Sequence, residues 1–255
     1  MRGMDDAAFL DHVTERLAAL PHVETVTLGG SRAQGTHHAG SDWDLAVYYT
    51  GPFDPQDLRD LGWPGEVSPI GGWGGGIYNG GAWLEIEGRR TDVHYRDLAA
   101  VDHEIAEAHA GRVHIEHLLF YLAGIPTYVL LAEVAVNRVL HGHLPAVEYP
   151  AALCVAARRA WWDRAALTFD YATNAYAAHG RLTQCAGLVA QAAVQTGHAV
   201  LAARGEWVTN EKTIIARAGL ERVDGVVAGM TPEPDALRGA VAEARRLCAE
   251  TLAGQ

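Results

Sequence analysis

Two aspartates, Asp42 and Asp44, stand one residue apart at the start of an apolar run that ends at Tyr49. A run of this kind is typical of a buried strand. Because side chains alternate along a strand, we expect both carboxylates on one face and Trp43 on the other. Magnesium prefers such hard oxygen ligands and is usually held by one or two carboxylates together with phosphate groups. The pattern therefore predicts a metal site at Asp42 and Asp44.

A glycine-rich turn, residues 29–32, precedes these acids and directly follows a second apolar run, Val23–Leu28. Glycine lets the backbone approach an anion closely. A short helical turn beginning at Ser31 would also present free N–H groups to that anion. We therefore predict that Gly30, Ser31 and Arg32 bind phosphate beside the metal site.

Together these residues resemble the motif of the polymerase-β-like nucleotidyltransferase superfamily, in which an apolar residue and Gly-[Gly/Ser] are followed, after a spacer, by Asp-apolar-Asp. The matching residues are Gly30-Ser31, Asp42-Trp43-Asp44, and Arg32-Ala33 with Gly35, which fits the form GSRAxG of the small prokaryotic members. The resemblance implies a nucleotidyl transfer that uses Mg²⁺ and a nucleoside triphosphate such as ATP.

Families with this motif commonly carry a third acid on a neighbouring strand. Residues 83–86 and 91–95 are predicted to form a hairpin, and Asp92 lies on its second strand. Glu85 and Glu87 compete for the same role. If the hairpin lies beside the first acidic strand, Asp92 becomes either a ligand of the metal that also binds Asp42 and Asp44, or the general base.

Two further residues are candidates from the second half of the chain. Glu133 is the only acid in the apolar stretch 128–136, and it is predicted either to act as a general base or to pair with an arginine such as Arg138. The segment 205–212 resembles the region where helical domains of small-molecule nucleotidyltransferases turn a lysine toward the nucleotide. That resemblance implies a nucleotide contact for Lys212.

The remaining pattern predicts an α+β fold in two domains. Residues 1–145 would form a nucleotidyltransferase domain with a short mixed sheet flanked by helices, and residues 146–255 an all-α helical bundle that binds the acceptor. One helix is expected over residues 128–140, and the apolar run 118–132 is interpreted as buried core. The glycine-rich tract 71–76 is either a flexible connection or a mobile flap carrying Trp73 and Tyr78.

Composition limits the partners. A formal net charge of −11 argues against a nucleic-acid reader and favours a cationic small acceptor. The three cysteines suggest no disulfide framework, and the first six residues lack the apolar core of a signal peptide, so a cytoplasmic protein without a membrane anchor is expected. The histidine pairs lack the His-Glu-x-x-His pattern of a zinc site.

The expected function is therefore a magnesium-dependent transfer of a nucleoside monophosphate, most simply AMP from ATP, to a hydroxyl of a small molecule. The resemblance to aminoglycoside-type enzymes makes an antibiotic acceptor the favoured class. Two alternatives stay open: a toxin–antitoxin type enzyme that modifies a protein or tRNA, and a nucleotide-binding regulator without turnover. The oligomeric state is left undetermined.

Overall fold

The computed structural model describes residues 4–74 and 76–255, which form two compact units. The first unit contains the residues up to Ile105 together with Leu130–Glu148, and the second contains Ala106–Val129 together with Tyr149–Gln255. Residues 106–129 thus cluster with the second unit. The domain boundary at residues 145 and 146 stays a prediction.

Strands form the centre of the first unit. In chain order the strands of the protein are β1 (Val23–Leu28), β2 (Trp43–Tyr49), β3 (Gly65–Val67), β4 (Gly81–Ile86), β5 (Arg89–Asp97), β6 (Ile115–Glu116), β7 (Ile125–Pro126) and β8 (Arg138–His141). Strands β6 and β7 belong to the second unit, where they pair with each other. The other six form one sheet in the order β3-β4-β5-β2-β1-β8, in which β2 runs parallel to β5 and antiparallel to β1. The predicted apolar strands β1 and β2 are confirmed, with β2 in the interior of the sheet.

Short and long helices pack against this sheet within the first unit, and helices form most of the second unit. They are α1 (Asp6–Ala18), α2 (Gly30–Ala33), α3 (Pro55–Arg59), α4 (Leu98–His109), α5 (Val129–Val136), α6 (Ala151–Tyr171), α7 (Leu182–Ala203), α8 (Ile214–Ala218), α9 (Arg222–Ala228) and α10 (Pro234–Ala253). A π-helical turn, Ala172–Tyr176, and a 3-10 turn, Ala177–His179, extend α6. The α+β fold with a C-terminal helical region is confirmed.

Helix α1 shows how local sequence produces these elements. The Asp5 side chain accepts a hydrogen bond from the Ala8 N–H at 2.9 Å and thereby caps the helix. Phe9, Val13 and Leu17 recur at helical spacing and are fully buried in the core of the first unit. The helix therefore packs against the sheet of the first unit through this apolar stripe.

The single helix expected over residues 128–140 is wrong. Helix α5 ends at Val136, and Arg138–His141 forms strand β8, which pairs antiparallel with β1. A short apolar run cannot distinguish helix from strand by periodicity alone, and here the open edge of β1 supplies ladder hydrogen bonds to it. Gly142 follows at φ +76°, where a Cβ atom would lie 2.1 Å from the Glu24 carbonyl oxygen.

The interpretation of residues 118–132 as buried core is wrong in its first part. Residues 123–132 are buried, but Leu119, Phe120 and Leu122 are 74%, 89% and 48% exposed. Phe120 adopts φ +74°, so the chain turns at the surface before it enters the core. The hydropathy of the sequence alone does not predict such a turn.

Helix α7 is the central helix of the second unit. Among the described residues it is the one helix long and apolar enough to cross a membrane, but 72% of its most apolar window is buried inside the protein. Its residues from Ala192 to Ala202 are buried without a break. Core helices of soluble proteins pass the same length and composition test, so this helix is weak evidence for a membrane span.

Candidate active site

The strand register brings the predicted acids together. On the parallel strands β2 and β5, Asp44 lies directly opposite Asp92, and Ala46 lies opposite His94. Because side chains alternate, Asp92 and His94 project from the same face of β5. One ligand atom from each of Asp44, Asp92 and His94 lies within 4.8 Å of the other two. The predicted position of Asp92 on a strand beside Asp44 is confirmed.

This group suits a divalent cation. Two carboxylates from adjacent strands provide hard oxygen ligands, as magnesium requires, while leaving room for water and phosphate oxygens. All three residues are partly buried, which weakens the screening of their charge by solvent. The two carboxylates therefore fit the metal that the sequence predicts, and His94 lies beside them in the same group.

Asp42 lies outside this group. It directly precedes β2, and its Oδ1 atom lies 2.8 Å from Nε of Arg90 in an ion pair. A cleft of about 560 Å³ adjoins the pair, and its lining includes Trp83, Glu85 and Asp92. The structure thus pairs Asp42 with an arginine, and its role as a metal ligand stays a prediction.

The glycine turn lies in close contact with the Asp44 carboxylate. Gly30 begins the four-residue helix α2 at φ +60°, and a Cβ atom there would lie 1.8 Å from Oδ2 of Asp44. The Gly29 N–H donates a hydrogen bond to the Asp44 carbonyl oxygen at 2.7 Å. Only glycine fits this position, because both the backbone conformation and the close approach exclude a side chain. The phosphate contacts of Gly30 and Ser31 stay predictions.

Arg32 holds the loop that leads into β2. Its Nη2 donates to the carbonyl oxygen of Ser41 at 3.0 Å, and its Nε donates to that of Asp42 at 3.2 Å. The guanidinium lies 4.0 Å from the centre of the Trp43 ring, and the side chain is 9% exposed. These contacts position the acidic strand, and the phosphate contact of Arg32 stays a prediction.

Glu133 pairs with an arginine that the sequence did not single out. Its two carboxylate oxygens lie 2.5 Å and 2.7 Å from Nε and Nη2 of Arg96, whose side chain is 1% exposed. Burial opposes the charge of Glu133, but the Arg96 guanidinium holds the pKa of this carboxyl below its usual range. This geometry favours the ion-pair alternative over a general base, with Arg96 rather than Arg138 as the partner.

His94 lies beside this ion pair. Its Nδ1 is 3.0 Å from Nη2 of Arg96. Burial, together with the neighbouring Arg96 charge, lowers the pKa of His94 to about 4. The ring is therefore neutral near pH 7. Alternation along β5 could have revealed Arg96, since it follows Asp92 and His94 on the same face of the strand.

Two tryptophans cover the same region of the first unit. Trp83 lies opposite Asp92 in the β4–β5 register, and Trp73 from the glycine-rich tract stacks on it with ring centroids 4.9 Å apart. The Trp73 ring also meets His94 edge-on at 5.5 Å. A Cβ atom on Gly81 would lie 2.3 Å from the Trp73 ring, so this glycine makes room for it. The tract thus packs Trp73 against Trp83 and His94. Both interpretations of the tract, a flexible connection and a mobile flap, stay predictions.

Lys212 belongs to the second unit. It lies in the exposed turn that precedes α8, where its backbone N–H donates to Oδ1 of Asn210 at 3.0 Å. Its contact with a nucleotide stays a prediction.

Comparison with known protein families matches a stretch of the first unit. Residues 10–74 match the family model of the nucleotidyltransferase domain, a stretch that contains the glycine turn, Asp42 and Asp44 but ends before Asp92. No protein of curated function matches the sequence significantly. Among solved structures, a nucleotidyltransferase-like protein from Exiguobacterium sibiricum aligns with a TM-score of 0.44 and 12% identity, over 94% of this chain and 73% of that one.

Proposed function

We propose that this chain, which carries a nucleotidyltransferase domain of the polymerase-β-like superfamily, transfers a nucleoside monophosphate from a nucleoside triphosphate to a hydroxyl of a small molecule. The observation that carries the proposal is the grouping of Asp44, Asp92 and His94 directly beside the glycine turn. Nucleotidyl transfer requires that combination, because phosphate oxygens and their metal must be held side by side.

Each residue has a defined task in this reaction. Free N–H groups at Gly30 and Ser31 would hold phosphate oxygens, and Asp44 would orient the triphosphate through the metal. Asp92 lies across from Asp44 and would accept the proton of the attacking hydroxyl or bind the metal itself. Magnesium, when bound, would neutralise the phosphate charge and lower the pKa of that hydroxyl.

ATP is the proposed donor and a hydroxylated amine, such as an aminoglycoside, the proposed acceptor. The cleft beside Asp92 supports an amine, since its lining combines the carboxylate of Glu85 with the half-exposed side chain of Trp83. Both groups attract a cation. The free cysteines of the structure, Cys154, Cys185 and Cys248, are consistent with the proposed cytoplasmic setting.

The first test is a transfer assay with ATP labelled at the α-phosphate, magnesium and a panel of aminoglycosides and other hydroxylated amines. We expect pyrophosphate and an acceptor that gains one AMP. Asp44→Asn should lower kcat by at least about 100-fold, because it removes a charge that acts on the transferred phosphoryl group. Asp11→Asn is the matched control, since Asp11 is exposed on α1, and it should retain activity.

Other outcomes would redirect the proposal. Label recovered in protein or RNA from a lysate, but in none of the small acceptors, would show that the enzyme modifies a macromolecule instead of a small molecule. Nucleotide binding without product from any acceptor or any of the four triphosphates would contradict enzymatic transfer.

A further inference from the structure

We propose that His94 is not a metal ligand of the Asp44–Asp92 group but a hydrogen-bond donor within it, held in one tautomer by Arg96 and Glu133. The three residues of the group are close enough to bind one ion together. The hydrogen bond between His94 and Arg96, however, indicates that His94 is a hydrogen-bond donor and not a ligand. Its role in the reaction rests on the proposed function, whereas its tautomer does not.

The first step is the contact between Arg96 and His94. Nη2 of Arg96 lies 3.0 Å from Nδ1 of His94. A guanidinium has N–H donors and no acceptor, so Nδ1 must provide a lone pair for this contact. A neutral imidazole with an unprotonated Nδ1 carries its proton on Nε2. The remaining ring nitrogen is therefore a donor.

The second step is the rigidity of Arg96. Its Nε donates to Glu133 Oε2, its Nη1 donates to the Tyr95 carbonyl oxygen at 3.0 Å, and its Nη2 serves both Glu133 Oε1 and His94. The Tyr78 ring lies 4.9 Å from the guanidinium carbon. These contacts hold the buried Arg96 guanidinium in place, so that its Nη2 is directed at Nδ1 of His94.

The third step excludes ordinary ligation. A histidine that binds a metal does so through an unprotonated nitrogen, while its other nitrogen donates an N–H to a carboxylate or carbonyl group. Here the second partner is itself a donor, which is the reverse of that arrangement. His94 therefore offers an N–H to an anionic oxygen, either of a carboxylate in the group or of a bound phosphate.

Glu133 and Arg96 are thus positioning residues. Glu133 neutralises and orients the Arg96 guanidinium, and the guanidinium fixes the tautomer of the His94 ring. Loss of Glu133 would leave a buried cation without its partner, which is strongly destabilising. The test should therefore begin with the unaltered protein.

The experiment is ¹⁵N–¹H long-range correlation spectroscopy of the histidine rings, with the His94 signals assigned from their absence in His94→Gln. We expect the Nε2–H tautomer in the free protein and its retention at saturating Mg²⁺. The spectra require no turnover, so they separate this inference from the proposed function. A proton on Nδ1, or loss of the Nε2 proton when Mg²⁺ is added, would overturn it.

Two substitutions provide a second measurement. His94→Gln keeps an N–H donor, whereas His94→Asp supplies a metal-binding carboxylate and no donor. We expect His94→Gln to bind Mn²⁺ with nearly unchanged affinity and to retain more kcat than His94→Asp. If His94 is a ligand, His94→Gln should weaken Mn²⁺ binding by more than about tenfold, and His94→Asp should restore it.

Discussion

Gly30 lies so close to the Asp44 carboxylate that the chain has no space for a side chain there. A Cβ atom would meet Oδ2 at 1.8 Å, and φ is +60°. We expect Gly30→Ala to displace the carboxylate and lower kcat by at least about 100-fold, with a loss of stability of about 1–3 kcal/mol from backbone strain. Steady-state kinetics and urea unfolding measure the two effects.

Gly35→Ala is the matched control for that substitution. Gly35 has φ +69° but no atom within 4 Å of an added Cβ, so alanine there incurs the conformational cost without a collision. We expect Gly35→Ala to lose stability and to keep most of its activity. Equal loss of kcat in both variants would show that backbone conformation, and not the approach to Asp44, decides activity.

For single residues, the sequence predicts the acidic residues of the site but not the arginines that pair with them. Strand alternation suffices to place Asp44 on one face of its strand and Asp92 on one face of the hairpin, because alternation depends on local geometry. That the two strands are neighbours is implied only by the resemblance to the family, and the β2–β5 pairing confirms it. The pairing of Glu133 with Arg96 depends on how a helix distant in sequence packs against β5, which no local pattern encodes. For the same reason, the Arg90 partner of Asp42 follows only from the loop conformation in the structure.

His198 shows how a packed helix can make the second unit sensitive to acid. It lies on α7, is 3% exposed, and stacks on Trp161 of α6 with ring centroids 4.2 Å apart. Burial lowers the pKa of His198 below its ordinary value, with Arg217 contributing, although Glu211 lies 3.9 Å away and opposes the shift. The folded state therefore resists protonation of this ring.

The sign of the pH dependence follows from that shift. Below about pH 6.5 the unfolded chain binds a proton at this histidine while the folded protein does not. The free energy of unfolding should therefore fall as the pH decreases through this range, with a limit of about 1.4 kcal/mol per pH unit for one group. Urea unfolding at several pH values measures it.

His198→Gln should reduce that dependence, since its side chain does not titrate. His109→Gln, at an exposed position of α4, is the control and should behave like the unaltered protein. An unchanged pH profile in His198→Gln would exclude His198 as the source of the acid sensitivity.

Helices and strands with a clear apolar pattern can be predicted from the sequence. Elements that form only because of the segments packed beside them cannot. The period of α1 and the apolar runs of β1 and β2 are intrinsic to their sequences. Strand β8 forms because β1 has a free edge, and the exposed turn at Phe120 forms where the chain enters the core of its unit. Such outcomes depend on tertiary context, which overrides local preference.

For the whole molecule, the balance of charge bears on the acceptor. Its formal net charge is −11, and the carboxylates of Glu85 and Asp92 line the same cleft. A cationic acceptor would be drawn to such a surface over a distance set by the Debye length, about 10 Å at 0.1 M salt. The charge thus supports the proposed cationic acceptor, while the shape of that acceptor depends on contacts that no sequence motif specifies.

Salt should therefore act on acceptor binding more than on chemistry. Raising the salt concentration from about 0.05 M to about 0.5 M should increase KM for a polycationic acceptor several-fold and leave kcat nearly constant, because screening weakens long-range attraction. An uncharged polyol acceptor is the control and should show little change. Glu85→Gln should reduce the salt dependence for the polycation, since Glu85 contributes one of the charges in the cleft. A KM for the polycation that does not respond to salt would contradict electrostatic recognition and favour binding through Trp83 and other apolar contacts.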